Sequence, residues 1–187
     1  MEQMGLPFHA VASDIAEDEA LANPSTMAQG LAERKAEAVH RQLSAHWVLG
    51  ADTVVVLGKA VLGKPQDAQD AQAMLLRLSG KSHRVITGFC ILNPSGQKAH
   101  GEAVVTRVRV KRLSEREIRA YIATGEPLGK AGGYAIQGMG AFMVEGISGS
   151  YTNVVGLPVC ALIKALLKIG ALESFPFHTS DAKSPQG

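Results

Sequence analysis

Lys35, Asp52 and Lys64 are the residues of this chain best placed, by type and by neighbours, to do chemistry. Lys35 falls on the four-residue ladder Met27, Leu31, Lys35, Val39, Leu43, and Asp52 interrupts the apolar run from Val48 to Leu57, so both charges are expected to face the interior. Burying a lone charge costs several kcal/mol, on the order of a small protein's whole stability margin, unless it is paired or used. A carboxylate at the end of a central strand can take a proton from water or hold a divalent cation, two roles common in phosphate chemistry. The plain alternative is an Asp satisfied by backbone amides. Lys64 stands in a Gly63-Lys64-Pro65 turn, where Gly63 permits close backbone approach and Pro65 holds Lys64 extended. Such a turn presents an ammonium rigidly to an anionic oxygen, although a surface turn with an incidental lysine has the same sequence. The stem of Lys35 could likewise snorkel out of a packed helix. Glu17 belongs to an acidic patch with Asp14, Asp18 and Glu19, and one of these could complete a metal site with Asp52. Thr53 signals nothing alone. Two lysines, a buried Asp and an acidic loop suggest an activated water attacking a metal-bound polyphosphate.

Other chemistries are excluded by what surrounds the remaining candidates. Ser148, Ser150 and the cysteines have no GxSxG or paired-histidine context, and the six histidines lack metal spacing. Cys90 and Cys160 sit in apolar runs without a CxxC pattern, which reads as two buried thiols in a reducing cytoplasm. A net charge of +2, without clustered basic and aromatic residues, argues against polymeric nucleic acid as a partner. The most apolar helical stretch, 153–169, contains Lys164 and Lys168 and is too short to span a bilayer, and no signal sequence opens the chain. The stretch KAGGYAIQGMG lacks the ending of a P-loop and the strand before a dinucleotide fingerprint. It still allows backbone to lie close to a ligand, with Tyr134 and Gln137 available for stacking and base-edge hydrogen bonds. In SGSYTNVVGLP, Asn153 could cap the last helix, whose amino terminus favours an anion.

The elements that must hold these residues are legible. With 187 residues, 46% hydrophobic and only 5% aromatic, the chain is long enough for one domain with a core of Ala, Val, Leu and Ile. MEQMGLPF resembles the last turn of an amphipathic helix stopped at Gly5, with a short strand following to Val11. A helix is expected from Ser25 to Leu43, capped by Asn23 or Ser25, and a strand buried on both faces from Val48 to Leu57. A second helix follows from Asp67 to Leu78. The turn Asn93-Pro94-Ser95-Gly96 then joins strands His83 to Leu92 and Gln97 to Lys111 in a hairpin. In the second strand Val104, Thr106, Val108 and Val110 alternate with Val105, Arg107, Arg109 and Lys111, which predicts one packed face and one wet basic face. Ser114, with Glu117 three residues on, starts a helix to Ala123. A glycine-rich stretch and a final helix follow, and the residues from 173 to 187 have the composition of a disordered tail.

The segments SDIAEDEA, LAERKAEAV, GADTVVVLGKAVLGKP, HRVITG, GEPLGKAGGYAIQG and GSYTNVVGLP, in this order from Met1 to about Gly170, resemble the Maf family of nucleoside triphosphate pyrophosphatases. The resemblance implies a single α/β domain, residues 1–172, with a bent mixed sheet flanked by helices and a nucleotide cleft, as in the inosine triphosphate pyrophosphatases. It implies hydrolysis of a nucleoside triphosphate to the monophosphate and pyrophosphate with a divalent cation, Mg or Mn. By the same resemblance Asp52 is the proton acceptor, Lys35 and Lys64 hold phosphate oxygens, and Glu17 stands with Asp52 near the metal. Thr53 and Gln137 resemble the specificity positions of the branch acting on dTTP and UTP. A homodimer is also implied.

The resemblance departs at the start. Family members open with a strand and an SxSPRR loop that helps bind the triphosphate, and this chain begins after that point. Loss of that strand is expected to leave a neighbour unpaired, and loss of the arginines to remove contacts worth roughly 1.5–3 kcal/mol each. The expectation is therefore a chain much less active than a complete homologue unless its true start lies upstream. A catalytically impaired nucleotide-binding or regulatory protein linked to division arrest is the alternative to an enzyme.

Overall fold

Asn23 opens the first helix, α1 (Pro24–His40): its side-chain oxygen accepts the Ser25 amide at 2.9 Å, and Pro24 fills a first-turn position that needs no donor. This is a computed structural model, and it describes residues 1, 4–13, 15 and 23–176. The chain then runs through β1 (Val48–Leu57), β2 (Ala60–Leu62), α2 (Ala68–Leu78), β3 (Ser82–Leu92), β4 (Lys98–Val110) and α3 (Glu115–Ala123). Two 3-10 turns, Ala131–Gly133 and Met139–Met143, lead to β5 (Val144–Ser148), α4 (Tyr151–Val155) and α5 (Val159–Lys168). The result is a single α/β domain.

The strands form one sheet in the order β2-β1-β3-β4-β5. Every ladder among the described residues is antiparallel, so the mixed pairing implied by resemblance is not among them. Hairpins account for two of the four ladders: tight turns join β1 to β2 and β3 to β4, and such turns can only return a strand antiparallel, whereas β1–β3 and β4–β5 are joined by longer connections that carry helices. Asn93 builds the second turn, its Oδ1 accepting the amides of Ser95 and Gln97 at 3.0 and 2.9 Å. β3 lies at the centre and is buried from Val85 to Leu92. β2 pairs only with Val55–Leu57, so among the described residues nothing pairs with β1 from Val48 to Val54 on the side away from β3.

Alternation along β1 and β3 sends side chains to two layers. Gly50, Asp52, Val54, Ile86, Gly88 and Cys90 face α1, whereas Val55, Val85, Phe89 and Ile91 face the remaining helices. α1 buries Ala28, Leu31, Ala32 and Ala36 rather than the whole expected ladder; Lys35 borders the buried stripe and Leu43, past the helix end, is 42% exposed. A strict four-residue repeat precesses around a helix of 3.6 residues per turn, and the sheet beneath selects small residues. A Cβ at Gly50 would lie 2.1 Å from the Ala32 carbonyl oxygen, and one at Gly88 would lie 2.3 Å from the Ala28 carbonyl carbon. The glycines are what let the helix lie directly on the strands.

The opposite layer holds the largest cluster, in which Leu75 and Leu78 of α2, Ile118 and Tyr121 of α3 and Tyr134 close over Val55, Val85 and Val108. Each such fully buried aliphatic side chain contributes about 1.5–3 kcal/mol. The basic face of β4 is exposed as expected, with Arg109 paired to Glu145 at 2.8 Å and Lys111 to Glu117. The Lys111 ammonium, then the Ser114 amide and hydroxyl, hold the Glu117 carboxyl down at about 2.

Three expectations are corrected. The segment from Phe8 to Val11 is not a strand; it has no ladder partner among the described residues and Phe8 is exposed. The final helix is two, because Gly156 (φ +119) and Pro158 break it between α4 and α5. Cys160 is exposed rather than buried, since α5 turns Leu162, Ile163 and Ala165 inward and position 160 falls on its outer face. Cys90 is buried, and burial, followed by the charge of Glu33, pushes its thiol up to about 11. Most of the expected tail, residues 177–187, lies outside the described residues.

Candidate active site

Asp52 stands on the α1 face of β1, and Lys35, one helical turn past Leu31, meets it: Lys35 Nζ lies 2.5 Å from Asp52 Oδ1, with their side chains 19% and 10% exposed. The charges expected to be buried are thus half-buried and paired. An ammonium has three donors, and a charge-assisted bond from one of them holds the Asp52 carboxylate in place.

Both residues line a cleft of about 290 Å³, and so do Thr53, Lys64 and Gln137. Five of the six residues singled out in the sequence therefore share one cavity; the sixth, Glu17, lies outside the described residues. Lys35 and Asp52 are on one face of the sheet, and Thr53, Val85 and Val154 belong to the other. The cleft accordingly crosses the edge of β1 that β2 does not cover. Among the described residues its lining carries Lys35, Lys64 and Lys130 together with the carboxylate of Asp52, groups of the kind that bind a phosphorylated ligand.

The glycine-rich segment closes the cleft. Gly132 donates its amide to the Gly63 carbonyl at 2.9 Å, tying this segment to the turn that carries Lys64. A Cβ at Gly63 would meet nothing within 4 Å, whereas Gly132 has a φ of +72 and its Cβ would press on Val55. Further along, a post of two residues holds the loop. Glu126 accepts the Met139 amide at 2.8 Å, the Gly140 amide at 3.1 Å and the Tyr121 hydroxyl at 3.0 Å, and Tyr121 in turn accepts the Ala135 amide at 3.1 Å. A Cβ at Gly138 would sit 2.4 Å from Glu126 Oε1, and one at Gly140 would sit 2.7 Å from the Tyr121 hydroxyl. These glycines make room for the post, and Gln137 is carried between its two points of attachment.

Tyr134 forms part of the cleft wall but is only 7% exposed; its hydroxyl meets His83 Nε2 at 2.8 Å and the rings pack edge to face. Burial lowers His83 to about 4 and raises the Tyr134 hydroxyl above its ordinary range. The wall is therefore neutral.

Asn153 is not a cap. Ser150 caps α4, and Asn153 is wholly buried, its amide nitrogen donating to the Val85 carbonyl at 3.1 Å and to Thr106 Oγ1 at 3.0 Å. That pins α4, and with it Val154, Val155 and Gly156, over the sheet side of the cleft. Sequence reasoning missed Lys130. Its signal was the Gly129-Lys130 pair, which matches Gly63-Lys64 in type and leads into the Gly132 contact with that turn.

A family model described as Maf-like protein matches residues 1–169. The chain belongs to the Maf-like family. Among its Maf-like relatives, the dTTP/UTP pyrophosphatase of Syntrophotalea carbinolica is 45% identical over 175 residues, covering 92% of this chain and 80% of the relative. The protein of the same name from Geobacter sulfurreducens is 48% identical over 169 residues, covering 90% and 88%. That of Ruminiclostridium cellulolyticum is 44% identical over 171 residues, covering 90% and 89%. Among the described residues no helix is long and apolar enough to cross a membrane, and no three His, Cys, Asp or Glu side chains are grouped so that they could hold a metal ion by themselves.

Proposed function

We propose that this Maf-like protein hydrolyses dTTP and UTP to the monophosphate and pyrophosphate. The observation that carries the reading is the convergence of Lys35, Asp52, Lys64 and Lys130 on one cleft with Thr53 and Gln137. The relatives' names supply the substrates. In this reading the triphosphate lies along the lysines and the base lies toward Thr53 and Gln137. Asp52 takes a proton from a water whose oxygen attacks the α-phosphorus; the bond to the bridging oxygen breaks, and pyrophosphate leaves. Lys35, held on Asp52, is shared with a phosphate oxygen when substrate arrives. Lys64, presented ahead of the buried Pro65, and Lys130 bind the outer phosphates.

A divalent cation is compatible with this donor set. Magnesium commonly uses one or two protein carboxylates and takes its other oxygens from water and substrate phosphates, and Asp52 is the carboxylate of the described lining. When bound, Mg or Mn would neutralise phosphate charge. The free thiols suit a reducing cytoplasm, which is where we place the activity.

Pyrophosphate release from a nucleotide panel, for wild type and Asp52→Asn, tests the proposal. Release from dTTP and UTP that Asp52→Asn abolishes is expected. A folded wild-type chain that is inert with magnesium and with manganese on every nucleotide would overturn it.

A further inference from the structure

A threonine hydroxyl both donates and accepts, so Thr53 by itself does not tell one base from another. Three hydrogen-bonding groups in a row change this. Thr87 is fully buried on β3 beside Thr53 in the ladder, and its hydroxyl lies 2.9 Å from the Asn153 carbonyl oxygen and 2.9 Å from Thr53 Oγ1. A carbonyl can only accept, so the single proton of Thr87 goes to Asn153. Thr87 then has only lone pairs to offer Thr53, and the one proton of Thr53 is drawn inward to meet them. Among the described residues Thr53 Oγ1 has no other hydrogen-bond partner, and the neighbouring wall is Gly156, where a Cβ would come within 3.7 Å of that oxygen. What the cleft sees of Thr53 is therefore an acceptor.

We infer that Thr87 is a positioning residue for base selection: it turns the Thr53 hydroxyl into a one-way acceptor, which receives the ring N–H of uracil or thymine and rejects the bare ring nitrogen of cytosine. This rests on the reading that the base lies toward Thr53. The chemistry is a matter of lone pairs. Uracil and thymine carry a hydrogen on N3; cytosine carries a lone pair there, which would face the lone pairs of Thr53 with no proton between them. The carbonyl that sets the direction is itself held, because Asn153 is anchored to β3 and β4 through its amide.

The experiment compares binding of UMP, 3-methyl-UMP and CMP by calorimetry, and hydrolysis of UTP and CTP, for wild type, Thr87→Val and Thr87→Ser. Wild type is expected to favour uridine over both analogues by at least about tenfold, the usual scale of an unmatched hydrogen-bonding group. Thr87→Val releases the Thr53 proton to swing toward the cleft, so the uridine-to-cytidine ratio should fall by about tenfold, mainly through better cytidine binding. Thr87→Ser keeps the relay and should keep the ratio. A folded Thr87→Val with an unchanged ratio overturns the inference. So does wild type that binds 3-methyl-UMP or CMP as well as UMP, a result that needs no variant to fold. Failure of wild type to hydrolyse any triphosphate would instead strike the proposed function, while the monophosphate comparison still decides the direction of the Thr53 proton.

Discussion

Lys35 Nζ lies 2.5 Å from Asp52 Oδ1 because a helix of small residues rests on two glycines of the sheet. Gly88 is the ladder partner of Asp52, and Ala28 lies over it two turns before Lys35. The backbones that carry the charged pair are thus brought together by contacts that involve no charge, and the ion pair closes the remaining distance.

That dependence gives a first expectation. Gly88→Ala would drive a methyl group against the Ala28 backbone, which cannot move without moving α1. Overpacking of this kind costs about 1–3 kcal/mol. Urea unfolding should register the loss, and activity should fall in protein that remains folded, since Lys35 is displaced with its helix.

Asp52→Asn keeps the shape of the side chain and removes its basicity. A drop in kcat of about 10²- to 10⁴-fold is expected, with a KM that changes little. A comparable loss seen only in KM would assign Asp52 to binding instead.

Lys130→Ala tests the lysine that sequence patterns did not single out. Losing one charged contact to a phosphate oxygen should raise KM for dTTP by about tenfold or more and leave the circular dichroism spectrum unchanged. Unchanged KM would remove Lys130 from the triphosphate site.

Glu126→Gln replaces an acceptor with an amide that faces backbone donors. One of its three hydrogen bonds must fail. The loop carrying Gln137 then loosens, and KM for dTTP should rise by about fivefold or more, whereas inhibition by tripolyphosphate, which has no base, should be unaffected. Equal weakening of both ligands would point to general damage.

His83 makes acid stability predictable. In the unfolded chain it takes up a proton near 6.5, while burial in the fold delays this to about 4. Between those values the unfolded state binds more protons, so stability is intact above pH 6.5, declines as pH falls, and levels near 4. The loss from this residue should reach about 2 kcal/mol by pH 5. Denaturation midpoints measured from pH 7 to 4 should fall for wild type and fall less for His83→Gln.

Local signals made much of this architecture legible. The apolar run marks β1 to the residue, the Asn93 turn and the Ser114 cap stand where their residues indicate, and helices α2 and α3 begin and end within a residue of their signals. These features depend on neighbours in sequence: periodicity, caps and turn chemistry. Lys35, Asp52 and Lys64 could be found because each breaks a local pattern. Gly50, Gly88 and Asn153 could not, since what each touches lies far along the chain. The same holds for Glu126 and Tyr121, whose roles appear only once the loop has folded back over them.

The pinning of α4 has a dynamic consequence. A helix of five residues is far below the length that holds itself together in water, and left to itself it would open and close freely. Here Asn153 reaches through it to the central hairpin, so releasing the helix means breaking bonds to β3 and β4. Amide protons of α4 should therefore exchange with solvent at the slow pace of the strands below. One wall of the cleft would then share the lifetime of the folded core, although it belongs by length to the elements that fray.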